Sequence, residues 1–398
     1  MAPETASDRM FNDKFGAWVC VDESIIQHTP QSHTLTIGVK DVIVTADFPT
    51  RFGTKLPECA FDDLLAIGDA QIVTQLRQAG ALIAGKTVST ELATFQPGPT
   101  LNPWRSDLTP GGSSSGSAVA VATGDVDLAI ATQTAGSTGR PAAYCGVFGY
   151  KPTFGLLSTT GVLCTSPTLD TVGLMSRDIE TLKHVLATCC GIESIDTSPV
   201  HDLKLVIHHT LWWDQINQTM RAAIEDLTHV LTAVFGDSHH RDIVVDLIAA
   251  TDVQRILHSA EVAQELGHLV SHYPDQLSPM FRRFVAEGER VSTKTLKHAR
   301  DYVAQLRDNG NNPVSAGEIW ITPVALGIAP HRDVGTGDPL FCRAWTAAGN
   351  PTLTVPIGES AGAPLGVQLV AAPGADATLL NVASAIMPLL KFPWESPE

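Results

Sequence analysis

The stretch from Gly111 to Pro141 reads GGSSSGSAVAVATGDVDLAIATQTAGSTGRP and carries almost no charge. It contains two glycine-serine turns, joined by small residues and a β-branched run. Glycine permits backbone conformations that are closed to other residues, and serine offers a compact nucleophile or proton relay. Such a stretch is typical of a functional site, although either turn taken alone could be a tight structural connection.

The residues next to the two turns predict their place in a fold. Small residues from 117 to 123 favour a tightly packed helix, and DLAIAT, residues 127–132, has the composition of a buried strand. That strand leads into the second turn, which contains Ser137. Residues 87–110 are rich in proline and lack periodicity, which indicates a loop that leads into the first turn.

Lys40 interrupts another apolar segment, TLTIGVKDVIV, which spans residues 34–44 and is predicted to be a buried strand. One interpretation is a lysine at a strand end that reaches water. The other is a buried lysine, because burial lowers the pKa of an ammonium group and can turn it into a general base near neutral pH. Lys40 is therefore a candidate catalytic residue.

The rest of the chain alternates strand and helix patterns. Further predicted strands are 81–87, the start of 146–155, 203–209, 243–248, 319–324, 352–357 and 366–370. Predicted helices are 62–80, one from Ser176 to 187, 215–235, a block over 252–307 and one from Ala375, whereas 166–172 is predicted to be a loop. This order indicates an α/β protein with one domain over 1–398. Its core covers about 34–200 and 315–390, and a mostly helical insertion at about 210–310 is a candidate cap over the site.

Three motifs in the sequence are misleading. GALIAGKT, residues 80–87, matches the P-loop pattern, but a helix precedes it and ALIA favours a strand where a P-loop needs a flexible loop. GSSSG, residues 112–116, matches the nucleophile elbow, but a proline-rich loop precedes it where a strand is required. His268 and His272 have i, i+4 spacing without an HExxH motif, so they are interpreted as solvated or core residues and no metal is predicted.

Composition excludes several functional classes. A formal net charge of −16 disfavours nucleic acid and anionic membranes as partners. The seven cysteines are scattered, with no CxxC pair, which predicts reduced thiols. The N-terminal residues lack the pattern of a signal peptide, and no apolar run approaches the roughly 20 residues of a membrane span. The expected location is the cytoplasm.

The Lys40 segment, the two glycine-serine turns and the strand between them together resemble the amidase signature family. The resemblance covers nearly the whole chain and implies an amidase-signature fold, with a central mixed β-sheet flanked by helices on both faces. The matching segments are Ile37-Gly-Val-Lys40-Asp, Gly85-Lys-Thr, Asn102-Pro-Trp, Gly111 to Ser117, the strand 127–132, Thr134-Ala-Gly-Ser137, Pro141-Ala-Ala-Tyr-Cys-Gly, Gly149-Tyr-Lys-Pro-Thr, Leu169-Asp-Thr-Val-Gly173, Gly349-Asn-Pro and Pro364-Leu-Gly-Val-Gln-Leu.

Carried over residue by residue, the resemblance implies a Ser-Ser-Lys triad and no cofactor. Ser137 would be the nucleophile that forms an acyl-enzyme, Ser113 the proton relay and Lys40 the general base. The resemblance also implies a cis peptide bond between Gly112 and Ser113. The backbone N–H groups of residues 134–137 would form the oxyanion hole, and these residues are Thr134, Ala135, Gly136 and Ser137.

One departure from the family pattern affects the turn itself. The familiar Gly-Ser-Ile-Arg-x-Pro is replaced here by Gly136-Ser-Thr-Gly-Arg-Pro141, which moves the arginine by one place. Contacts to the acyl group could therefore differ from those of the family. The candidates for substrate contact are Ser114, Arg140, Thr168, Asp170, Asp338 and Trp345.

The leading hypothesis is an amidohydrolase that cleaves a small carboxamide. One alternative is a urea- or carbamate-type hydrolase, because Thr134-Ala-Gly-Ser137 resembles the biuret and allophanate hydrolases. Another is a glutaminase-type subunit of an amidotransferase complex, and a pseudoenzyme or pure binding module is the least favoured reading. The expected partner is a small amide molecule, and a homodimer is one assembly left open.

Overall fold

A computed structural model describes residues 12–26, 34–191, 203–208, 212–235, 239–241, 245–308 and 311–390. The strands are, in chain order, β1 (Trp18–Val21), β2 (Thr36–Lys40), β3 (Leu82–Thr87), β4 (Leu128–Gln133), β5 (Phe148–Lys151), β6 (Thr171–Ser176), β7 (Lys204–His208), β8 (His239–Arg241), β9 (Glu318–Pro323), β10 (Thr352–Ser360) and β11 (Ala363–Val370). The α-helices are α1 (Glu23–Ile26), α2 (Asp62–Leu65), α3 (Gln71–Gln78), α4 (Ser115–Ala122), α5 (Gly139–Cys145), α6 (Ile179–Cys190), α7 (Gln218–Phe235), α8 (Val245–His272), α9 (Pro279–Glu289), α10 (Thr293–Arg307), α11 (Leu340–Ala347) and α12 (Asp376–Ile386).

Within these residues, all the strands join one sheet in the order β1-β3-β2-β4-β6-β5-β10-β11-β9-β7-β8. The sheet is mixed. β2 runs parallel to both β3 and β4, whereas β6 is antiparallel to β4 and β5. The two glycine-serine turns flank β4 in sequence, so the signature stretch occupies a central position in the sheet.

Helices cover both faces of the sheet, because strands such as β4 carry apolar side chains on both faces. Leu128 and Ile130 belong to the core that contains residues of α3 and α6, whereas Ala129 and Ala131 pack with Ala118 and other small residues of α4. Successive side chains of a strand point to opposite faces. β4 is buried at every position and is therefore covered on both sides, which confirms the predicted mixed sheet flanked by helices on both faces.

The helical block lies between β7 and β9 in the chain. Helices α8, α9 and α10 pack together, and α8 also packs against α11, which follows β9. The insertion is therefore joined to the part of the protein that carries the C-terminal strands. The division into one domain with an insertion remains a prediction.

Three secondary-structure predictions were wrong. Residues 62–80 form two helices, α2 and α3, because the chain turns at Gly68, whose φ is +77°. The predicted loop 166–172 runs into β6, and the following helix begins at Ile179, where the Asp178 side chain accepts the Thr181 N–H. The predicted strand 243–248 falls in α8 from Val245 onward, since a short apolar run fits a buried strand or a buried helix equally well.

Among the helices that the structure describes, none is both long enough and apolar enough to cross a bilayer.

Candidate active site

The parallel pairing of β2 with β4 brings the candidate residues to one edge of the sheet. Val39 lies opposite Ile130 in this pair. Lys40 is the last residue of β2, and β4 ends at Gln133, directly before the second turn. In sheets with parallel strands, binding sites form at the carboxyl ends of the strands. Lys40 and the second turn are far apart in sequence, but they lie close together at this edge of the sheet.

Lys40 is completely buried and contacts the first turn. Its Nζ lies 2.7 Å from Ser113 Oγ and 2.7 Å from Thr132 Oγ1. Burial lowers the pKa of Lys40 from 10.5 to about 7, and the negative charge of Asp170 opposes that shift. A substantial fraction of Lys40 is therefore neutral near pH 7, and a neutral amine can accept a proton.

The first turn is held close to the start of α5. The peptide bond between Gly112 and Ser113 is cis, as the family resemblance implied. Gly111 has a φ of +83°, and a Cβ at this position would lie 2.8 Å from Pro141 Cα. Arg140 donates from Nη2 to the Gly112 carbonyl at 2.9 Å. These contacts fix the backbone on either side of Ser113.

The second turn leaves a row of backbone donors available. Within the described residues, the N–H groups of the turn donate to no protein acceptor at Thr134, Ala135, Gly136 or Ser137. The turn is nevertheless closely packed, because a Cβ on Gly136 would lie 2.9 Å from Cys342 Cβ. Ser137 is 9% exposed, and its Oγ makes no hydrogen bond to any residue that the structure describes. Free backbone amides beside a serine can bind an oxyanion when they point to one place.

Gln133 is a site residue that sequence reasoning missed. Its Oε1 accepts the N–H groups of Thr138 and Gly139 at 3.0 and 3.1 Å, and its Nε2 donates to Thr346 Oγ1 at 3.0 Å. Thr346 Oγ1 in turn donates to the Ala135 carbonyl at 2.9 Å. One buried amide thus links both ends of the second turn to α11. Its position directly between a buried strand and a serine turn was the available signal.

Glu261 was missed as well, although it organises the segment before β6. The buried carboxylate accepts hydrogen bonds from the Ser166 hydroxyl, from the Thr168 N–H at 3.2 Å and from the Thr168 hydroxyl at 2.6 Å. Arg300 Nε lies 2.8 Å from the same carboxylate. Helix α8 therefore anchors the segment that contains Asp170, and no local pattern around Glu261 indicates a partner 95 residues away.

Three of the six substrate-contact candidates, Ser114, Arg140 and Asp170, lie in or against the two turns, and Thr168 lies in the segment that Glu261 anchors. The carboxylate of Asp170 accepts from Thr134 Oγ1 at 2.5 Å and from Thr165 N at 2.7 Å, and burial raises its pKa. Ser114 Oγ lies 3.3 Å from the Thr132 carbonyl. With Arg140 holding Gly112 and Thr168 bound to Glu261, these side chains shape the site through its backbone.

The other two candidates belong to the α11 region, with Asp338 just before the helix and Trp345 within it. Asp338 is 55% exposed at its side chain, and its Oδ1 lies 3.9 Å from Arg343 Nη2. Trp345 is buried and packs edge-on against Trp320, with 5.7 Å between the ring centroids. A substrate contact remains a prediction for all six candidates.

The structure explains two of the misleading motifs, the P-loop-like segment and the histidine pair. Lys86 lies within β3, buried, and donates to the Ile43 carbonyl and to Thr50 Oγ1, so residues 80–87 do not form a phosphate-binding loop. His272 Nδ1 lies 2.7 Å from the His268 carbonyl. Among the described residues, no group of three or more His, Cys, Asp or Glu side chains has the arrangement of a metal site.

A cavity of about 600 Å³ borders the site at Asp170. Its walls come from α3, from residues 154–167 and from Cys189 in α6. A much smaller space shares Asp170 with it and extends to Thr132 and Thr134. Asp170 therefore lies between the buried surroundings of Lys40 and a cavity on the α3 side of the protein.

Comparisons with known proteins identify the family of this chain. A family model described as Amidase matches residues 22–207. Amidase 1 of Arabidopsis thaliana is 27% identical over 94% of this chain and 98% of its own length. One of the subunits of the glutamyl-tRNA(Gln) amidotransferase of Nitratidesulfovibrio vulgaris (strain DP4) is 30% identical over 90% of this chain and 84% of its own length.

Solved structures share the same architecture. One described as a crystal structure of amidase superimposes with a TM-score of 0.82 at 26% identity, covering 94% of this chain and 92% of that one. The native peptide amidase from Stenotrophomonas maltophilia has the same fold, with a TM-score of 0.75 at 24% identity over 92% of this chain and 84% of its own. Since the signature stretch and the sheet agree with a relative that is 30% identical over 90% of this chain, this chain belongs to the amidase signature family of amide-hydrolysing enzymes.

Proposed function

We propose that the protein hydrolyses the C–N bond of a small carboxamide, with Ser137 as nucleophile, Ser113 as proton relay and Lys40 as general base. The observation that carries the proposal is the 2.7 Å contact between Lys40 Nζ and Ser113 Oγ inside a buried site. A serine hydroxyl is a weak nucleophile without a base beside it. The desolvated lysine supplies that base.

Acylation begins with two coupled proton transfers. Neutral Lys40 accepts the hydroxyl proton of Ser113 as Ser113 accepts the proton of Ser137, and Ser137 Oγ attacks the amide carbonyl carbon. The C=O π electrons move to oxygen and give a tetrahedral oxyanion. When the intermediate collapses, the C–N bond breaks, and the proton held by Lys40 returns through Ser113 to the leaving amine.

The second turn would stabilise the oxyanion. Its unused N–H groups, from Thr134 to Ser137, form a compact set of donors held by Gln133 and Thr346. A single oxyanion-hole donor is worth about 3 to 4 kcal/mol in other hydrolases. Water then attacks the acyl-enzyme, the same relay takes its proton, and the acid leaves as Ser137 regains its hydroxyl proton.

Thr132 gives the base its orientation. Its hydroxyl lies 2.7 Å from Lys40 Nζ, and Thr132 belongs to β4, the strand that also carries the second turn. Strand β4 thus contacts the base, which in turn contacts the relay serine, and the oxyanion donors follow directly after the same strand. This arrangement supports a preorganised site, because rigid elements hold the geometry more accurately than loops do.

The proposal is tested by measuring ammonia or amine release from aliphatic, aromatic and peptide amides, with ureas and carbamates as a separate panel. Hydrolysis of the amides, lost in Ser137→Ala and Lys40→Met, is the expected result. Labelling of Ser137 by a fluorophosphonate provides a readout that needs no known substrate. Amide hydrolysis that persists in Ser137→Ala would overturn the proposal, and selective turnover of ureas would favour the urea-type alternative.

One comparison favours a second candidate function. The relative from a glutamyl-tRNA(Gln) amidotransferase is 30% identical over 90% of this chain, so a role as the glutaminase-type subunit of a complex is worth a direct test. That role requires partner chains for full activity. Size-exclusion chromatography of the isolated protein, followed by assays with glutamine and with simple amides, separates the two functions and reports whether a homodimer forms.

A further inference from the structure

The carboxylate of Asp170 is occupied by donors from its own surroundings. Its Oδ1 accepts the hydroxyls of Thr134 and Thr165 at 2.5 and 2.8 Å. Its Oδ2 accepts the N–H groups of Thr165 and Ser166 at 2.7 and 2.9 Å. A carboxylate offers about four acceptor positions. Because four donors use them, Asp170 has little capacity left for a substrate and acts on the protein around it.

These donors favour the ionised form of Asp170. A backbone N–H group can only donate, so Oδ2, which accepts two of them with its two lone pairs, carries no proton. The hydroxyls at Oδ1 are two further donors, and hydrogen bonds to the charged form stabilise it. Burial acts in the opposite direction and raises the pKa of Asp170. Since a buried charge is unfavourable without a partner, a cation is expected nearby.

Lys40 is the cation that fits this position. Thr132, whose hydroxyl lies 2.7 Å from Lys40 Nζ, lines a void of about 10 Å³ together with Thr134 and Asp170. A space of this size holds at most one water molecule, so solvent screens the two charges little. Among the described residues, Asp170 is the group whose charge raises the pKa of Lys40.

The acid next to Lys40 in the chain serves a different lysine. The carboxylate of Asp41 accepts the N–H groups of Arg51 and Gly53 at 2.8 and 3.0 Å. Its negative charge raises the pKa of Lys86, which lies on the neighbouring strand β3. Asp41 is therefore the counter-charge of Lys86, and the proposed base depends on a different carboxylate.

The titratable groups on the other side of Asp170 do not compete for this role. Glu261 of α8 is paired with Arg300 at 2.8 Å. The thiols of Cys164 and Cys189 line the cavity that borders Asp170. Burial raises the pKa of both thiols to about 12, so they are neutral near pH 7. The charge of Asp170 is therefore the one that these elements direct toward the base.

We propose that Asp170 is a positioning residue of the reaction: it orients Thr134 at the start of the oxyanion turn, and its negative charge stabilises Lys40 while Lys40 holds a proton. This inference rests on the proposed amidase function and deepens its mechanism. When neutral Lys40 accepts the proton of Ser113, a cation forms in a buried site, and burial disfavours that cation. A carboxylate that is already fixed in place lowers the barrier to this step.

Asp170→Asn tests the charge, because asparagine can keep the hydrogen bonds. The amide oxygen can accept the two backbone N–H groups, and the NH2 group can donate to the two threonine hydroxyls. In the full chain, the rise of kcat/KM with pH should shift by about one unit toward lower pH, since a nearby opposite charge raises the pKa of an ammonium group by that order. The plateau should fall by up to about 10-fold, because the base is weaker.

Thr165→Val is the matched control. It removes one hydroxyl from Asp170 Oδ1 and leaves the negative charge in place. The rise of kcat/KM should therefore keep its position on the pH axis in this variant. A rise that does not move in Asp170→Asn would overturn the inference. An equal shift in Thr165→Val would overturn it as well, because the effect would then come from the hydrogen bonds and not from the charge.

A titration without substrate separates this inference from the proposed reaction. Lysine labelled with carbon-13 at Cε lets NMR follow the protonation of Lys40 in Ser137→Ala, and Ser137→Ala/Lys40→Met assigns the signal. The midpoint should lie near pH 7 and should fall by about one unit when Asp170→Asn is added. That shift, combined with no hydrolysis of any amide, would retain the role of Asp170 and overturn the proposed reaction. Hydrolysis of amides with an unshifted midpoint would overturn the role of Asp170 and leave the proposed reaction intact.

Discussion

Gln254, on the long helix α8, donates a hydrogen bond from Nε2 to the carbonyl oxygen of Thr134 at 2.9 Å. The two residues are 120 positions apart in the chain. Gln254 belongs to the helical block, and Thr134 belongs to the signature stretch after β4. A helix of the insertion thus holds the first peptide of the proposed oxyanion turn. Helix α8 therefore contributes directly to the geometry of the proposed site.

Gln254→Leu is expected to lower kcat about 10-fold, because the Thr134 peptide loses the contact that fixes its orientation, and geometry errors at donors are costly. The expected loss in the free energy of unfolding is about 2 to 4 kcal/mol, because Gln254 also accepts a hydrogen bond from Arg343 Nη1 at 3.2 Å and both contacts are lost. Steady-state kinetics on any amide that the wild type hydrolyses provides the measurement. Gln264→Leu is the matched control, since Gln264 lies on α8 but is exposed and bonds to Arg300. An unchanged kcat in Gln254→Leu would remove α8 from the mechanism.

The rise of kcat/KM with pH on the acid side of the profile should follow the deprotonation of Lys40. Its pKa is lowered to about 7 by burial, and the general base is active only when it is deprotonated. We expect kcat/KM to reach half of its maximum near pH 7 and to level off about one pH unit higher, whereas an ordinary lysine with a pKa of 10.5 would give a limb several units higher. A pH–rate profile from about pH 5 to about pH 10 measures this limb.

Lys86 offers the matched control for Lys40. It is also a buried lysine, and burial lowers its pKa to about 8, but it bonds to the Ile43 carbonyl and Thr50 and does not contact Ser113. Lys40→Met should abolish turnover. Folded Lys86→Met, verified by circular dichroism, should retain the limb near pH 7. A limb that moves in Lys86→Met would show that Lys86, and not Lys40, is the base that titrates.

The sequence allowed the family fold and the order of the site residues to be predicted because both depend on local patterns. Glycine-serine turns, small-residue helices and β-branched strands are written in adjacent residues, and Lys40 stood out as a charge within an apolar run. Gln133 and Glu261 were not predicted, since their roles depend on partners such as Thr346 and Ser166, far away in the chain. Strand β6 was missed for the same reason, because its pairing with β4 outweighs its weak local signal.

The Gln133–Thr346 link should control how fast Ser137 reacts. Gln133→Ala frees the N–H groups of Thr138 and Gly139 and removes one of the contacts that link the turn to α11, so the labelling rate with a fluorophosphonate should fall about 10- to 100-fold. Thr346→Val should have a smaller effect in the same direction. In the double variant the two losses should be less than additive, because the residues act through one contact. Thr251→Val, which removes a buried hydroxyl bonded within α8, is the control.

Glu261 should stabilise the fold more than it assists the chemistry. Glu261→Ala leaves the buried hydroxyl of Ser166 and the hydroxyl of Thr168 without their acceptor and Arg300 without its carboxylate, which predicts a loss of about 2 to 4 kcal/mol in the free energy of unfolding. Urea denaturation followed by fluorescence measures this loss. Glu265→Ala, one turn further along α8 at an exposed position, should change stability by less than about 0.5 kcal/mol. Equal midpoints for the two variants would show that the segment before β6 does not depend on α8, and the anchor would then have to come from Arg307, which donates to the Thr168 carbonyl at 2.8 Å.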